Sequence, residues 1–355
     1  KILCLTHVKE LLEQNEDKLQ AHIPGVDIGV YSAGLKRREL GHSVTVAGIQ
    51  SIYDKPVGAP HLLFIDEAHL VPKDGEGRYR VFLSRLMELN PKLRIIGLTA
   101  TPYRMRGGLL TAGEGRFFHS VVADISIHEL IEQEFLAPVV SAKTSVTIDT
   151  ENVEVRAGEY NLKELNKAAD QEHITDATVS DLLRHGRDRK SWLIFCVSVS
   201  HAAHVRNALQ MAGVTAGCIT GETPKEERAQ IIYDYRAGKL QAITNCNVLT
   251  TGFDAPSTDL IGLLRPTVSP GLYVQMIGRG MRIAEGKKNC LVLDYGGNIS
   301  RHGPIDNVTI PPSFLSDGQG EAPVKFCPAC FAEAHPQKQM CDYCWLLYTS
   351  PSPRD

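Results

Sequence analysis

Seven short apolar runs, at residues 2–5, 62–65, 94–98, 192–197, 241–244, 260–264 and 290–293, punctuate longer helix-like stretches. A run that is apolar at every position, rather than at alternate ones, suits a strand buried on both faces. Such burial arises when helices cover both sides of a parallel sheet. The expected fold class is therefore α/β, with parallel sheets, and two sheets suit a chain of this size better than one. The chain has 355 residues, 43% of them hydrophobic, enough for two cores.

Residues 141–190 are polar and show no strong strand until SWLIFCV, so the junction between the domains is expected around Pro138. After Tyr295 the chain turns rich in Gly, Pro and Ser, the composition of a linker. The expected order is a first domain at 1–137, a second at 138–300, a linker at 301–325 and a cysteine module at 326–345. The last ten residues, LLYTSPSPRD (346–355), look like the translation of a sequencing-library adapter and are set aside as a non-native tail. A formal net charge of −3 neither requires nor excludes nucleic acid, because a basic cleft can coexist with an acidic exterior. No apolar run approaches bilayer length and the first residues carry no secretory signal, so the expected location is the cytoplasm.

The most informative stretch is HLLFIDEAH (61–69), where an apolar strand runs straight into Asp66 and Glu67. In an open α/β sheet ligands sit beyond the carboxyl ends of strands, so both acids face the crevice. Phosphoryl transfer from a nucleotide needs one carboxylate for magnesium and a second group to orient or deprotonate water. Asp66 fits the first role and Glu67 the second. Read alone, the same letters also describe an ordinary acidic start to a helix.

Other stretches reinforce the first reading by their order. LTATP (98–102) ends a second apolar strand in small hydroxyl residues, Thr99 and Thr101 flanking Ala100. VLTTGFDAP (248–256) and QMIGRGMR (275–282) follow at domain-scale distance. In the latter, Arg279 and Arg282 lie three apart, and on a helix they would share a face. A guanidinium fork beside a phosphate stabilises charge developing on a transferred phosphoryl group. THVKELLEQN (6–15) and AGIQS (47–51) follow apolar runs and ITGETP (219–224) sits in the second domain; in such segments hydroxyls and amides can hold backbone phosphates or merely cap helices. Thr6, Gln50, Ser51, Thr220, Gly221 and Thr250 are the candidates for nucleic acid. The basic run LKRRE (35–39) could join them or be a solvated turn.

A nucleotide motor also needs a glycine-rich loop ending in GK[ST], and none is present; RAGKL (236–240) and AEGKK (284–288) lack both the spacing and the hydroxyl residue. The expectation is a chain truncated at its N-terminus that does not turn over ATP by itself. Four of the nine cysteines, Cys327, Cys330, Cys341 and Cys344, form two CxxC knuckles ten residues apart. Four thiolates on two tight turns suit one tetrahedral, structural zinc ion; two disulfides and a redox CxxC are the alternatives.

Together, THVKELLEQN, AGLKRRE, AGIQS, DEAH, LTATPYR, ITGETP, VLTTGFDAP, GLLRPT, QMIGRGMR and LVLDYGGN, followed by the CxxC pair, resemble the DEAH-box helicases of superfamily 2, in particular the bacterial RadD type. The resemblance implies two RecA-like domains in tandem plus a small zinc ribbon, with ATP, magnesium and zinc as cofactors. It implies a DNA-stimulated ATPase acting on single-stranded or branched DNA in recombination and repair, with single-stranded DNA-binding protein as a partner. It assigns Asp66, Glu67, Gln275, Arg279 and Arg282 to catalysis, and Thr99, Ala100 and Thr101 to coupling. Asp66, His69, Gly252, Asp254, Arg279 and Arg282 would contact the nucleotide and its metal. A restriction-system motor subunit, an RNA helicase and a nucleic-acid-binding module without turnover are the alternatives.

Overall fold

The computed structural model describes residues 1–72, 77–104, 108–112, 116–156, 159–249 and 253–308, together with two short strands beyond them. The chain divides into two compact units, Lys1–Ala123 and Asp124–Asp355.

The first unit runs β1 (Ile2–Thr6), α1 (Lys9–His22), β2 (Ile28–Ser32), β3 (Arg37–Arg38), β4 (Val44–Gly48), α2 (Ile49–Ile52), β5 (Leu62–Asp66), α3 (Arg78–Leu89) and β6 (Arg94–Leu98). Its sheet has the order β3-β2-β4-β1-β5-β6, parallel except for the edge pair β2 and β3. Because β1 pairs with both β4 and β5, Thr6 lies opposite Gly48, and Asp66 lies opposite Leu98 on β6. The carboxyl ends of four neighbouring strands therefore share one edge. Leu3, Leu5, Leu63, Ile65, Phe82, Leu83 and Leu86 are buried beneath it. A two-residue hairpin, β7 (Tyr103–Arg104) with β8 (Gly108–Leu109), follows.

The second unit opens with α4 (Ile127–Glu132) and β9 (Val139–Ala142), then β10 (Val155–Arg156) paired with β11 (Glu159–Tyr160). It continues through α5 (Leu162–Ala169), α6 (Glu172–His185), β12 (Trp192–Phe195), α7 (Val199–Met211), β13 (Ala216–Ile219), α8 (Lys225–Arg236) and β14 (Ala242–Asn245). β15 (Leu260–Leu263), α9 (Pro270–Gly278), β16 (Cys290–Asp294) and α10 (Asn298–His302) complete it. The sheet order is β13-β14-β12-β15-β16-β9, with every pair parallel. All four residues of β12, β14 and β15 are buried, as continuous apolar runs require. Trp192, Tyr235, Tyr273 and Tyr295 are enclosed, and each polar handle finds a partner: Arg189 O, Thr258 Oγ1, Gly303 O and Thr178 O.

The units divide earlier than the expected junction at Pro138. Ile127, Ile131 and Leu136 pack against the second core, and the Ala137 amide donates to Met281 O at 2.6 Å. β9, which overlaps the start of the stretch without a strand signal, is an edge strand with two of its four residues exposed, so it needs no apolar run. Later in the second unit, β17 (Lys325–Phe326) pairs antiparallel with β18 (Glu333–Ala334). Cys327, Cys330, Cys341 and Cys344 lie outside the described residues. Among the described residues no helix is long and apolar enough to cross a membrane, and no group of three or more His, Cys, Asp and Glu side chains is placed to hold a metal ion. Cys4, Cys196, Cys218, Cys246 and Cys290 are free thiols, and burial pushes Cys290 up to about 12.

Candidate functional site

β5 ends on Asp66, and the chain then turns sharply because Glu67 adopts a left-handed conformation (φ 49°, ψ 53°). Left-handed backbone costs a residue with a Cβ on the order of 1–2 kcal/mol, a strain that clusters at functional turns. The turn is pinned by the Glu67 amide, which donates to Asp66 Oδ1 at 3.0 Å. His69 Nδ1 lies 3.2 Å from Glu67 Oε2 and 2.9 Å from Thr99 Oγ1. The Thr99 hydroxyl donates to Thr101 O and accepts from the Thr101 amide, both at 3.1 Å. Asp66, Glu67, His69, Thr99 and Thr101 form one bonded chain over adjacent strands, while Ala100 is exposed beside them. Thr101 itself is buried.

Burial raises the Asp66 carboxyl above its ordinary value, and the neighbouring Glu67 charge adds to the effect. Two acidic side chains forced together at a half-buried strand end fit a hard divalent cation, which would offset both causes. Two residues that the sequence did not point to complete this corner. His7, directly after β1, places Nε2 2.8 Å from the hydroxyl of Tyr79 on α3. Burial lowers the His7 pKa first, the charge of His69 lowers it further, and Glu67 opposes them. Burial and the Asp66 charge raise the Tyr79 hydroxyl. These partners are 72 positions apart, so no local pattern joins them.

Along the same sheet edge, Thr6 is buried and its Oγ1 accepts from the Val8 amide at 3.4 Å. Ser51 Oγ accepts from the Ala33 amide at 3.0 Å, tying α2 to the loop after β2, and Gln50 is exposed. Arg37 of the LKRRE run is held inside the unit. Its two terminal nitrogens meet Glu16 at 2.5 and 2.8 Å, and Glu39 binds it at 2.8 Å while accepting from the Val30 amide. Arg37→Ala is therefore expected to lower stability by about 1 kcal/mol, a partly exposed pair being worth no more. It should leave the salt dependence of oligonucleotide binding unchanged; melting curves and anisotropy titrations check the two halves. The exposed Arg38 is the better contact for a phosphate.

In the second unit α9 starts on a Ser269 cap that accepts from the Leu272 amide, with Pro270 in the first turn. It ends at Gly278, so Arg279 and Arg282 do not share a helix face as expected. They converge all the same. Arg279 Nη1 and Arg282 Nη1 donate to the same carbonyl, Phe253 O, at 2.8 and 2.7 Å. Arg282 also pairs with Asp254 Oδ1, and Arg236 Nε from α8 donates to Asp254 O at 2.7 Å. Gly280 makes this approach feasible: a Cβ there would lie 2.3 Å from Cys290 Sγ and 2.9 Å from Ile261. Gln275 lies on the same helix and makes no hydrogen bond among the described residues. Thr220 Oγ1 accepts from the Glu222 amide at 3.2 Å, and Gly221 is exposed. Thr250 and Gly252 lie outside the described residues.

Two matches to known families cover these two sets of residues separately. Residues 1–104 match the type III restriction enzyme res subunit, and residues 175–284 match the helicase conserved C-terminal domain. The chain is 32% identical over 312 residues to irc3 of Schizosaccharomyces pombe, whose name designates a mitochondrial ATP-dependent helicase; the match covers 84% of this chain and 49% of that protein. It is 26% identical to the ATP-dependent helicase IRC3, so designated, of Saccharomyces cerevisiae, over 84% of this chain and 43% of that one. The chain thus spans about half the length of these curated relatives. Among solved structures, a fragment designated as an HsdR subunit of a type I restriction enzyme from Vibrio vulnificus YJ016 superposes with a TM-score of 0.60 at 22% identity, covering 85% of this chain and 54% of its own. With these two domains in this order, the chain is of the superfamily 2 helicase type and similar to the Irc3 proteins.

Proposed function

We propose that the protein of which this chain is part is an ATP-dependent DNA helicase or translocase of the RadD type, stimulated by DNA and serving recombination and repair. The observation that carries the reading is the bonded chain Asp66, Glu67, His69, Thr99 and Thr101 at adjoining strand ends. Asp66 would hold magnesium and Glu67 would take the proton of the attacking water. Thr99 would pass the state of that corner, through Thr101, to the chain beyond β6. In the second unit Arg279 and Arg282, steered by one carbonyl, would place their positive charge near phosphate, with Gln275 and Asp254 in the same unit. A nucleotide's triphosphate chemistry is supplied by ATP and magnesium when bound. Thr6, Gln50 and Ser51 in the first unit, and Thr220 and Gly221 in the second, would each hold backbone phosphates without reading bases. The likeness to an HsdR fragment and the res-subunit match favour one second reading, a restriction-system motor.

The test is ATP turnover by protein expressed from the whole reading frame, with single-stranded, duplex and branched DNA and with RNA as control. Stimulation by branched or single-stranded DNA above duplex supports the repair reading; equal stimulation by long duplex supports the restriction motor. Indifference to all nucleic acid would remove the motor assignment. Single-stranded DNA-binding protein belongs to the proposal as a partner, checked by co-sedimentation. The CxxC pair is proposed as a structural zinc site, supported by the antiparallel pairing of β17 with β18, which brackets Cys327 and Cys330 in sequence. One zinc ion per chain, released by a thiol-modifying reagent and lost in Cys341→Ser, is the expected metal analysis. A metal-free chain with disulfides would overturn it.

A further inference from the structure

Burying a guanidinium without an acid costs several kcal/mol unless something else meets the charge. Arg265, which follows β15 at the carboxyl edge of the second sheet, is 8% exposed. The hydrogen bond it makes is from Nη1 to the neutral Asn247 Oδ1, and it forms no ion pair among the described residues. The acid whose field reaches it, Glu159, is engaged elsewhere: Oε2 accepts from Thr267 Oγ1 at 2.7 Å, and Oε1 accepts from the amides of Val268 and Tyr160. The rest of the fork makes no hydrogen bond among the described residues, and none of its nitrogens is among the enclosed, unpartnered atoms there.

The surroundings hold this fork still. The Arg265 carbonyl accepts from Asn298 Nδ2 at 3.1 Å, and Pro266 fixes the next φ. Asn247, its partner, sits in the left-handed region (φ 53°), as does Leu249 (φ 64°), a conformation that a leucine adopts only under constraint. Asn247 follows β14, whose Asn245 lies opposite Ile219 of β13, immediately before Thr220. A rigid guanidinium, a carboxamide and a threonine hydroxyl thus share one carboxyl edge.

We propose that Arg265 is a phosphate-binding residue whose ligand is a backbone phosphate of the bound nucleic-acid strand. This rests on the motor reading above and adds to it a role for Arg265, inside the GLLRPT stretch, that the resemblance does not assign. A phosphate oxyanion supplies what Glu159 does not, a bidentate acceptor for the open side of the fork. A nucleotide phosphate has the same chemistry, so the experiment separates the two sources.

The experiment uses the full chain and its Arg265→Met and Arg265→Lys variants. Binding of a labelled single-stranded 20-mer is titrated by anisotropy at several salt concentrations, a fluorescent ATP analogue is titrated alongside, and thermal midpoints are recorded. Arg265→Met is expected to weaken oligonucleotide binding about tenfold, as loss of a charged hydrogen-bonded contact should. It should flatten the log-log salt slope by about 0.7, the contribution of one phosphate on a single strand. Nucleotide affinity should be unchanged, and the midpoint unchanged or higher because an uncompensated buried charge is gone. Arg265→Lys should keep the wild-type slope with intermediate affinity. A wild-type salt slope and affinity in Arg265→Met would overturn the inference, as would a weakened nucleotide with an unaffected oligonucleotide. A lowered midpoint in both variants with parallel loss of both ligands would make Arg265 a structural residue and overturn it too. If the wild-type chain itself binds no nucleic acid, the motor reading fails; if it binds and the variant binds equally, only this inference fails.

Discussion

Glu67→Gln, made in protein expressed from the whole reading frame, is expected to lower nucleic-acid-stimulated ATP turnover by about 10²–10⁴-fold, the usual range for loss of a general base. The amide keeps the volume of the carboxylate and its place beside His69 Nδ1, which lies 3.2 Å from Oε2 in the native side chain. What it loses is the ability to take a proton. The left-handed turn at Glu67 should survive, because it is fixed by a backbone amide donating to Asp66 and not by the Glu67 side chain. Affinity for a nucleotide analogue should therefore stay near wild type while turnover falls. A variant that turns over ATP at the native rate would show that Glu67 is only the acidic start of a short helix. A variant that loses nucleotide affinity as well would show that the residue binds and does not act on water.

The fold and this corner were legible to different depths. β1, β5, β6, β12, β14, β15 and β16 could be read because buried parallel strands impose an apolar residue at every position. β13 escaped notice because it is built of small residues: a Cβ on Gly217 would lie 2.9 Å from Ile231, so the strand fits only where side chains are absent. β9 escaped because it is an edge. The DEAH and LTATP stretches could be read because each ends an apolar strand, and the adjacency of β5 and β6 turns a separation of thirty residues into one hydrogen bond between His69 and Thr99. The His7–Tyr79 bond and the capture of Arg37 by Glu16 are products of tertiary packing alone. The sequence shows a basic run at 35–39; only the fold shows that its central arginine is already occupied.

The same distinction governs the largest stability effect expected, at LVLDYGGN. Asn298 is fully buried and bridges three segments: Oδ1 accepts from the Thr267 amide at 2.9 Å, and Nδ2 donates to Arg265 O and to Asp294 Oδ1, each at 3.1 Å. Gly296 lets the chain close around it, since a Cβ there would lie 2.8 Å from Pro266 N. Asn298→Ala strands a buried amide, a carbonyl and part of a carboxylate, and should cost about 3–5 kcal/mol of unfolding free energy by the sum of such desolvation penalties. The cost should also depend on pH. Burial pushes the Asp294 carboxyl up to about 6, against the amides of Ile299 and Gly296, the Asn298 carboxamide and the charge of Arg301, which all favour the ionised form. A carboxyl whose folded value lies above its unfolded one binds its proton more tightly in the native state, so stability falls as pH rises from about 4 to about 6 and levels off above. Removing the Asn298 donor raises the folded value further and extends that loss to higher pH. Denaturant titrations should then find the variant more damaged, relative to wild type, at pH 8 than at pH 5. An equal deficit at both would mean that Asn298 supports the loop by its backbone bridges and does not share in holding the Asp294 charge.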